Sequence, residues 1–228
     1  MALVFSGKGG RRIADQPGFA MLAEVRAYWE GLRHGSALPR RDDIDPRGIA
    51  GALENTFLLE RVAPGIARFR LAGMQLHDLM GMDVRGMAVS ALIEPQGRNR
   101  MAEGLEAVFA WPGLMDLRLE GERGVGKPSL AARMLLLPLT GVRGDVDLAL
   151  GCLAFEGAMG RAPRRFAIAG MSSEQLPHSL LARTCDPDAA RAVARDLATG
   201  LAEAAAEFTA RPRPPRAKPH LRLVSSRD

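Results

Sequence analysis

Two glycine-rich stretches carry the spacing of phosphate-binding loops. Gly121-Glu122-Arg123-Gly124-Val125-Gly126-Lys127-Pro128 contains the GxxxxGK pattern. Such a loop holds phosphates on backbone amides, reaches them with its lysine, and binds magnesium through a following Ser or Thr. Here Pro128 replaces that hydroxyl. The flanks disagree as well. A phosphate loop follows a buried parallel strand and opens a helix, whereas Leu114–Glu120 alternates apolar and charged residues and Ser129–Leu139 has no helix cap and contains Pro138. A hairpin loop is the expectation. Ser6-Gly7-Lys8-Gly9-Gly10 matches the first half of a variant loop, but Arg11-Arg12-Ile13 follows where a second glycine and lysine belong. Residues 1–18 are therefore expected to be a flexible N-terminus.

Other chemistry-bearing side chains are sparse. Cys152 and Cys185 are too far apart for a CxxC redox or zinc pair, and too few for a disulfide framework. His34, His178 and His220 stand alone, and His77 falls in a short helical stretch. No HExxH, GxSxG or carboxylate pair occurs at catalytic spacing. No catalytic set and no metal site is expected, and the chain does not read as an enzyme. Three polar residues stand out: Arg41, Asp45 and Arg70. Arg70 lies mid-strand, where a buried unpaired charge is costly. It can pair with Asp45, pair with Glu60 across a hairpin, or bind an anionic ligand.

The elements that must position these residues follow from periodicity. Phe19, Leu22, Val25, Trp29 and Leu32 recur at helical steps and share one face. Gly35 can end that helix. Asp45-Pro46 is a cap followed by proline at the first helical position, and opens a short helix to about Leu53. Thr56–Val62 and Ile66–Leu71 read as strands joined by the turn Pro64-Gly65. Met74–Met80 reads as a short helix, and Gln96–Ala110 as a longer one. Leu114–Glu120, Leu130–Leu139 and Val146–Phe155 read as strands, the last two more buried. Residues 157–185 show no clear period. Asp186-Pro187 opens a final helix with the stripe Val193, Leu197, Leu201 and Phe208. Grouped strands separated by helices indicate an α+β fold with a mostly antiparallel sheet.

Composition narrows the class. The 228 residues are 47% hydrophobic, enough for a core, and carry a net charge of +5. Residues 211–228 hold six basic side chains against Asp228, so the body is neutral and the excess belongs to a proline-rich tail. That tail is expected to be disordered. It either contacts nucleic acid or another anionic surface, or only solubilises the chain. The start lacks the order of a signal peptide, and no apolar run reaches the length of a membrane span. A cytoplasmic location without membrane insertion is expected.

A set of local patterns, in order, carries a resemblance. Leu79-Met80-Gly81-Met82-Asp83-Val84-Arg85-Gly86 is followed by Leu92-Ile93-Glu94-Pro95, Arg98 and Val108-Phe109. Upstream lie Tyr28-Trp29, Leu38-Pro39-Arg40-Arg41, Ile44-Asp45-Pro46 and Phe69-Arg70-Leu71-Ala72-Gly73; downstream lies Leu137-Pro138-Leu139. Over residues 20–156 this order resembles the PAS superfamily of sensor domains, and within it a bacterial subgroup of stand-alone PAS-like proteins. The resemblance implies a five-stranded antiparallel sheet with helices on one face, flanked by an N-terminal and a C-terminal helix. The implied division is a PAS-like domain with its cap helix at 19–156, a loop and amphipathic helix at 157–210, and the tail at 211–228.

In such domains the space between sheet and helices often holds a small ligand. By alternation Phe57, Leu59, Phe69 and Leu71 face that space, with Met74, His77 and Leu79 opposite; the same residues equally suit a dry core. No cofactor is identified. Light-sensing relatives carry a cysteine in a G-R-N-C-R segment, but Gly97-Arg98-Asn99 is followed here by Arg100, so covalent flavin chemistry is not expected. His77 is the one histidine placed to be an axial haem ligand. Such domains often dimerise through a helix before the core, which makes Phe19, Leu22 and Trp29 candidates for an exposed interface. Family members normally signal to a fused kinase, cyclase or DNA-binding domain. None follows here, so the expectation is a non-enzymatic sensor or adaptor that binds a small molecule or a partner, as a homodimer or through a separate signalling protein. The alternative is a pure interaction module.

Overall fold

The computed structural model describes residues 19–33 and 38–176. The chain divides into two units, Met1–Cys185 and Asp186–Asp228, and every described residue belongs to the first. The expectations for the flexible start, the final helix, the basic tail, His34, His178, His220 and Cys185 lie outside the described residues.

Six strands form one antiparallel sheet: β1 (Thr56–Ala63), β2 (Ile66–Ala72), β3 (Gly113–Gly121), β4 (Ala131–Leu139), β5 (Leu148–Glu156) and β6 (Phe166–Gln175). Their spatial order is β2-β1-β5-β4-β3-β6, and every pairing is antiparallel. The α+β class with an antiparallel sheet holds. The expected count of five strands is corrected to six. The added strand falls in the 157–185 stretch that was expected to be loop. It is an edge strand with a register shift opposite Arg118/Leu119, so its burial does not alternate and its period is hidden.

At the centre of the sheet, in β4, β5 and the start of β1, both faces are apolar and both are covered. On the inner face Phe57, Leu59, Phe69, Met115, Leu117 and Met134 pack under α2 (Met74–Met80) and α3 (Arg98–Phe109). On the outer face Leu58, Leu135, Leu137, Leu139, Leu148 and Leu150 pack under α1 (Ala20–Leu32) and the 3₁₀ segment Pro46–Asn55. Helices on one face alone would leave this second apolar surface in water.

The α1 stripe therefore serves the chain's own sheet. Leu22 and Trp29 are 0% exposed and Phe19 is buried. The expectation of an exposed Phe19, Leu22 and Trp29 interface is corrected: these side chains meet the outer sheet face, and the Trp29 indole Nε1 donates to the Pro138 carbonyl at 3.0 Å.

Gly121–Pro128 is a hairpin loop, as its flanks indicated. Gly124 and Lys127 exchange backbone bonds of 3.2 and 2.9 Å, Gly126 has φ of +73°, and the Lys127 ammonium is held by Glu122. Arg164, fully buried, fixes this loop to the β5–β6 connection. Its guanidinium donates to the carbonyls of Met159, Glu122 (3.1 Å) and Pro128 (2.8 Å). Among the described residues no helix is long and apolar enough to cross a membrane.

Candidate functional site

The segment between α1 and β1 is built from local polar contacts. The Tyr28 hydroxyl accepts from the Asp45 amide at 2.7 Å and donates to the Asp45 carbonyl at 3.0 Å. Its ring lies so close to Gly48 that an added Cβ would sit 2.1 Å from it. The Asp45 carboxylate accepts from the Arg47 amide at 2.9 Å and caps Pro46–Asn55, with Pro46 at the start. Asp43 accepts from the Arg40 amide at 2.8 Å, and the Arg41 amide donates to the Thr140 carbonyl at 3.1 Å. The Leu38–Pro46 motif is thus the strap that seats a second layer on the sheet.

A close contact joins this layer to the rest. An added Cβ at Gly73 would stand 2.2 Å from the Glu54 carbonyl oxygen. Only glycine lets the β2–α2 junction meet the end of the Pro46–Asn55 segment this closely. The Gly73 amide also donates to the Thr56 carbonyl at 2.8 Å.

Between these parts lies a groove of about 500 Å³. Phe57, Leu58, Leu71 and Leu150 line it from the sheet. Ile44, Pro46, Ile49 and Leu53 line it from the strap, and Ala72 and Gly73 from the β2–α2 junction. Its polar residues are Arg41, Asp42 and Thr56, and the Thr56 hydroxyl is engaged with the Ala52 carbonyl at 2.8 Å. Arg41 Nη1 stands 3.2 Å from Asp42 Oδ1, with both side chains about half exposed or more.

The expected pocket residues separate. Phe57, Leu59, Phe69 and Leu79 join in the inner core, with Phe57 and Phe69 edge-to-face at 5.2 Å, and Phe57 also borders the groove. Leu71 is 53% exposed and Met74 62% exposed, and neither belongs to that core. That placement is corrected, and its cause is a register shift. Leu58 pairs with Leu71 and Leu59 with Phe69, so β2 spends an extra residue, Arg70, on one step of β1. The shift turns Leu71 to the outer face, where it meets the groove.

His77 is half-buried between protein partners. Its Nε2 lies 3.3 Å from the Ala72 carbonyl and its Nδ1 3.5 Å from Asp83. Hydrogen bonds from the Arg85 side chain lower the Asp83 carboxyl to about 2. Arg70 pairs with Glu60 at 3.3 Å and is half exposed, which selects the hairpin partner over Asp45. The thiol of Cys152, beside Thr56 on β5, is pushed up to about 12 by burial, against a smaller lowering from its hydrogen bond with Thr56. A thiol so held is a poor nucleophile.

The groove residues Ile44, Ile49, Leu53, Leu58 and Leu150 were not singled out as a site in the sequence. The available signal was that Thr56–Ala63, Ala131–Leu139 and Leu148–Glu156 are apolar on both faces, which requires cover on both.

The PAS domain family matches residues 19–154. The chain belongs to the PAS domain family. No curated protein matches the sequence. Among solved structures, the light-state structure of the blue-light photoreceptor Aureochrome1 LOV is similar, with a TM-score of 0.34 and 11% identity over 49% of this chain and 88% of that chain. Within this PAS domain α3 begins at Arg98-Asn99-Arg100. The hairpin is tied to α3 by Glu106, which accepts from Arg61 at 2.9 Å and from the Gly65 amide at 2.6 Å.

Proposed function

We propose that this PAS domain is a non-enzymatic sensor or adaptor that binds a small apolar molecule and passes the change to a protein partner, either a second copy or a separate signalling protein. One observation carries the reading: the groove on the outer sheet face. At about 500 Å³ it lies within the range of small-molecule sites, roughly 300–1,000 Å³, and its lining is mostly apolar. It sits where the strap, the β1–β2 hairpin and the β2–α2 junction meet. A guest there changes the contacts of all three, which is the differential interaction that shifting a conformational equilibrium requires. The inner space supports the reading less well, since Phe57, Leu59, Phe69 and Leu79 fill one buried cluster.

Native mass spectrometry of the freshly purified full chain tests the proposal. A reproducible non-covalent adduct of small mass is the expected result. A protein that is empty in every preparation, and whose melting temperature no apolar compound raises, contradicts it. That outcome would favour a pure interaction module, with the exposed Leu53, Leu71 and Met74 as its contact. In that alternative the basic residues of 211–228 contact nucleic acid or another anionic surface. Deleting them should then abolish a salt-dependent association.

A further inference from the structure

We infer that the guest of the outer-face groove is an apolar monocarboxylate, oriented by Arg41; this rests on reading the groove as a ligand site. The lining asks for a hydrocarbon or arylalkyl body, since Ile49, Leu53, Leu58 and Leu71 dominate it. The ionised side chains on the lining are Arg41 and Asp42. Arg41 uses one nitrogen, Nη1, on Asp42 at 3.2 Å, and this is the side chain's one hydrogen-bond partner among the described residues. An adjacent, exposed pair of this kind is weak. A guanidinium presents five donors in a planar fork that matches a carboxylate bidentately. A carboxylate at the groove mouth therefore gains donors that Asp42 leaves unused. Asp42 is the more exposed of the two and keeps its hydration when Arg41 turns to the guest. The other acids of the strap, Asp43 and Asp45, already accept from backbone amides, which fixes them away from this exchange.

The test is calorimetric titration of the full chain with decanoate, decanol and decylamine, repeated on Arg41→Gln, Asp42→Asn and Leu71→Gln. Arg41, Asp42 and Leu71 are exposed enough for the variants to fold, which circular dichroism checks. Decanoate should bind at least about tenfold more tightly than decanol. Arg41→Gln should remove that difference without weakening decanol, Asp42→Asn should tighten decanoate alone, and Leu71→Gln should weaken both. Equal binding of decanoate and decanol, or preference for decylamine, overturns the carboxylate assignment while the groove stands as a ligand site. Decanoate binding that ignores both Arg41→Gln and Leu71→Gln also overturns it, by placing the ligand elsewhere. No binding by any of the three, together with an adduct-free native mass spectrum, overturns both this inference and the reading beneath it.

Discussion

Replacing Trp29 with alanine tests whether α1 belongs to this fold or to an interface. The indole is fully buried against the outer sheet face. Truncating a buried aromatic costs about 3–5 kcal/mol through lost transfer energy and the cavity left behind. The Pro138 carbonyl, which accepts from the indole at 3.0 Å, then loses its partner at a further cost of about 1 kcal/mol. Arg33, half-buried, lies over the ring at 5.2 Å, a contact worth about 0.5 kcal/mol. The sum, about 4.5–6.5 kcal/mol, is a large part of the ~5–15 kcal/mol that stabilises an ordinary domain. Trp29→Phe keeps most of the apolar volume and loses the hydrogen bond, so about 1–2 kcal/mol is expected. Urea unfolding followed by circular dichroism, paired with size-exclusion chromatography, reads both stability and oligomeric state. An alanine variant within 1 kcal/mol of the parent that instead changes its oligomeric state would refute the packing argument.

Glu106→Gln should lower stability by about 1 kcal/mol, since it weakens bonds from Arg61 and the Gly65 amide at a site about one-third exposed; the urea midpoint should fall with the slope unchanged. Gly73→Ala should cost more than about 2 kcal/mol, because its Cβ would press on the Glu54 carbonyl and part the strap from the β2–α2 junction; thermal unfolding checks this. Cys152 should resist iodoacetamide at pH 8.5 in the native Cys185→Ser chain and react quickly in urea. Its folded value of about 12 lies above the ordinary 9.0, so the neutral thiol's contribution to stability is complete below 9.0 and is lost as the pH rises toward about 12. Urea midpoints measured at stepped alkaline pH, compared with a Cys152→Ala variant, isolate that loss.

Elements with strong local signals were legible in the sequence. Met74–Met80 is bounded by Gly73 and Gly81, and the structure places α2 on those residues. Asp45-Pro46 opens its helix for the expected capping reason, and Pro64-Gly65 turns the hairpin. What failed depends on non-local geometry. Alternation counted along β2 cannot register the extra residue at Arg70, because a bulge is defined by the partner strand. The apolar stripe of Phe19, Leu22 and Trp29 announced burial but not its target. The target is the second face of the sheet, whose apolar residues were visible in β4 and β5 but were not matched to a cover. The groove arises from the same omission, since it exists only where the strap crosses Leu58, Leu71 and Leu150.

The proposed guest sits on the outer sheet face and not between sheet and helices. Methyl-labelled nuclear magnetic resonance during a decanoate titration tests it residue by residue. Shifts should concentrate on Ile49, Leu53, Leu58, Leu71 and Leu150 and spare the inner-core residues Leu59, Leu79 and, on α3, Leu105. Shifts centred on Leu59, Leu79 and Leu105 would contradict the claim.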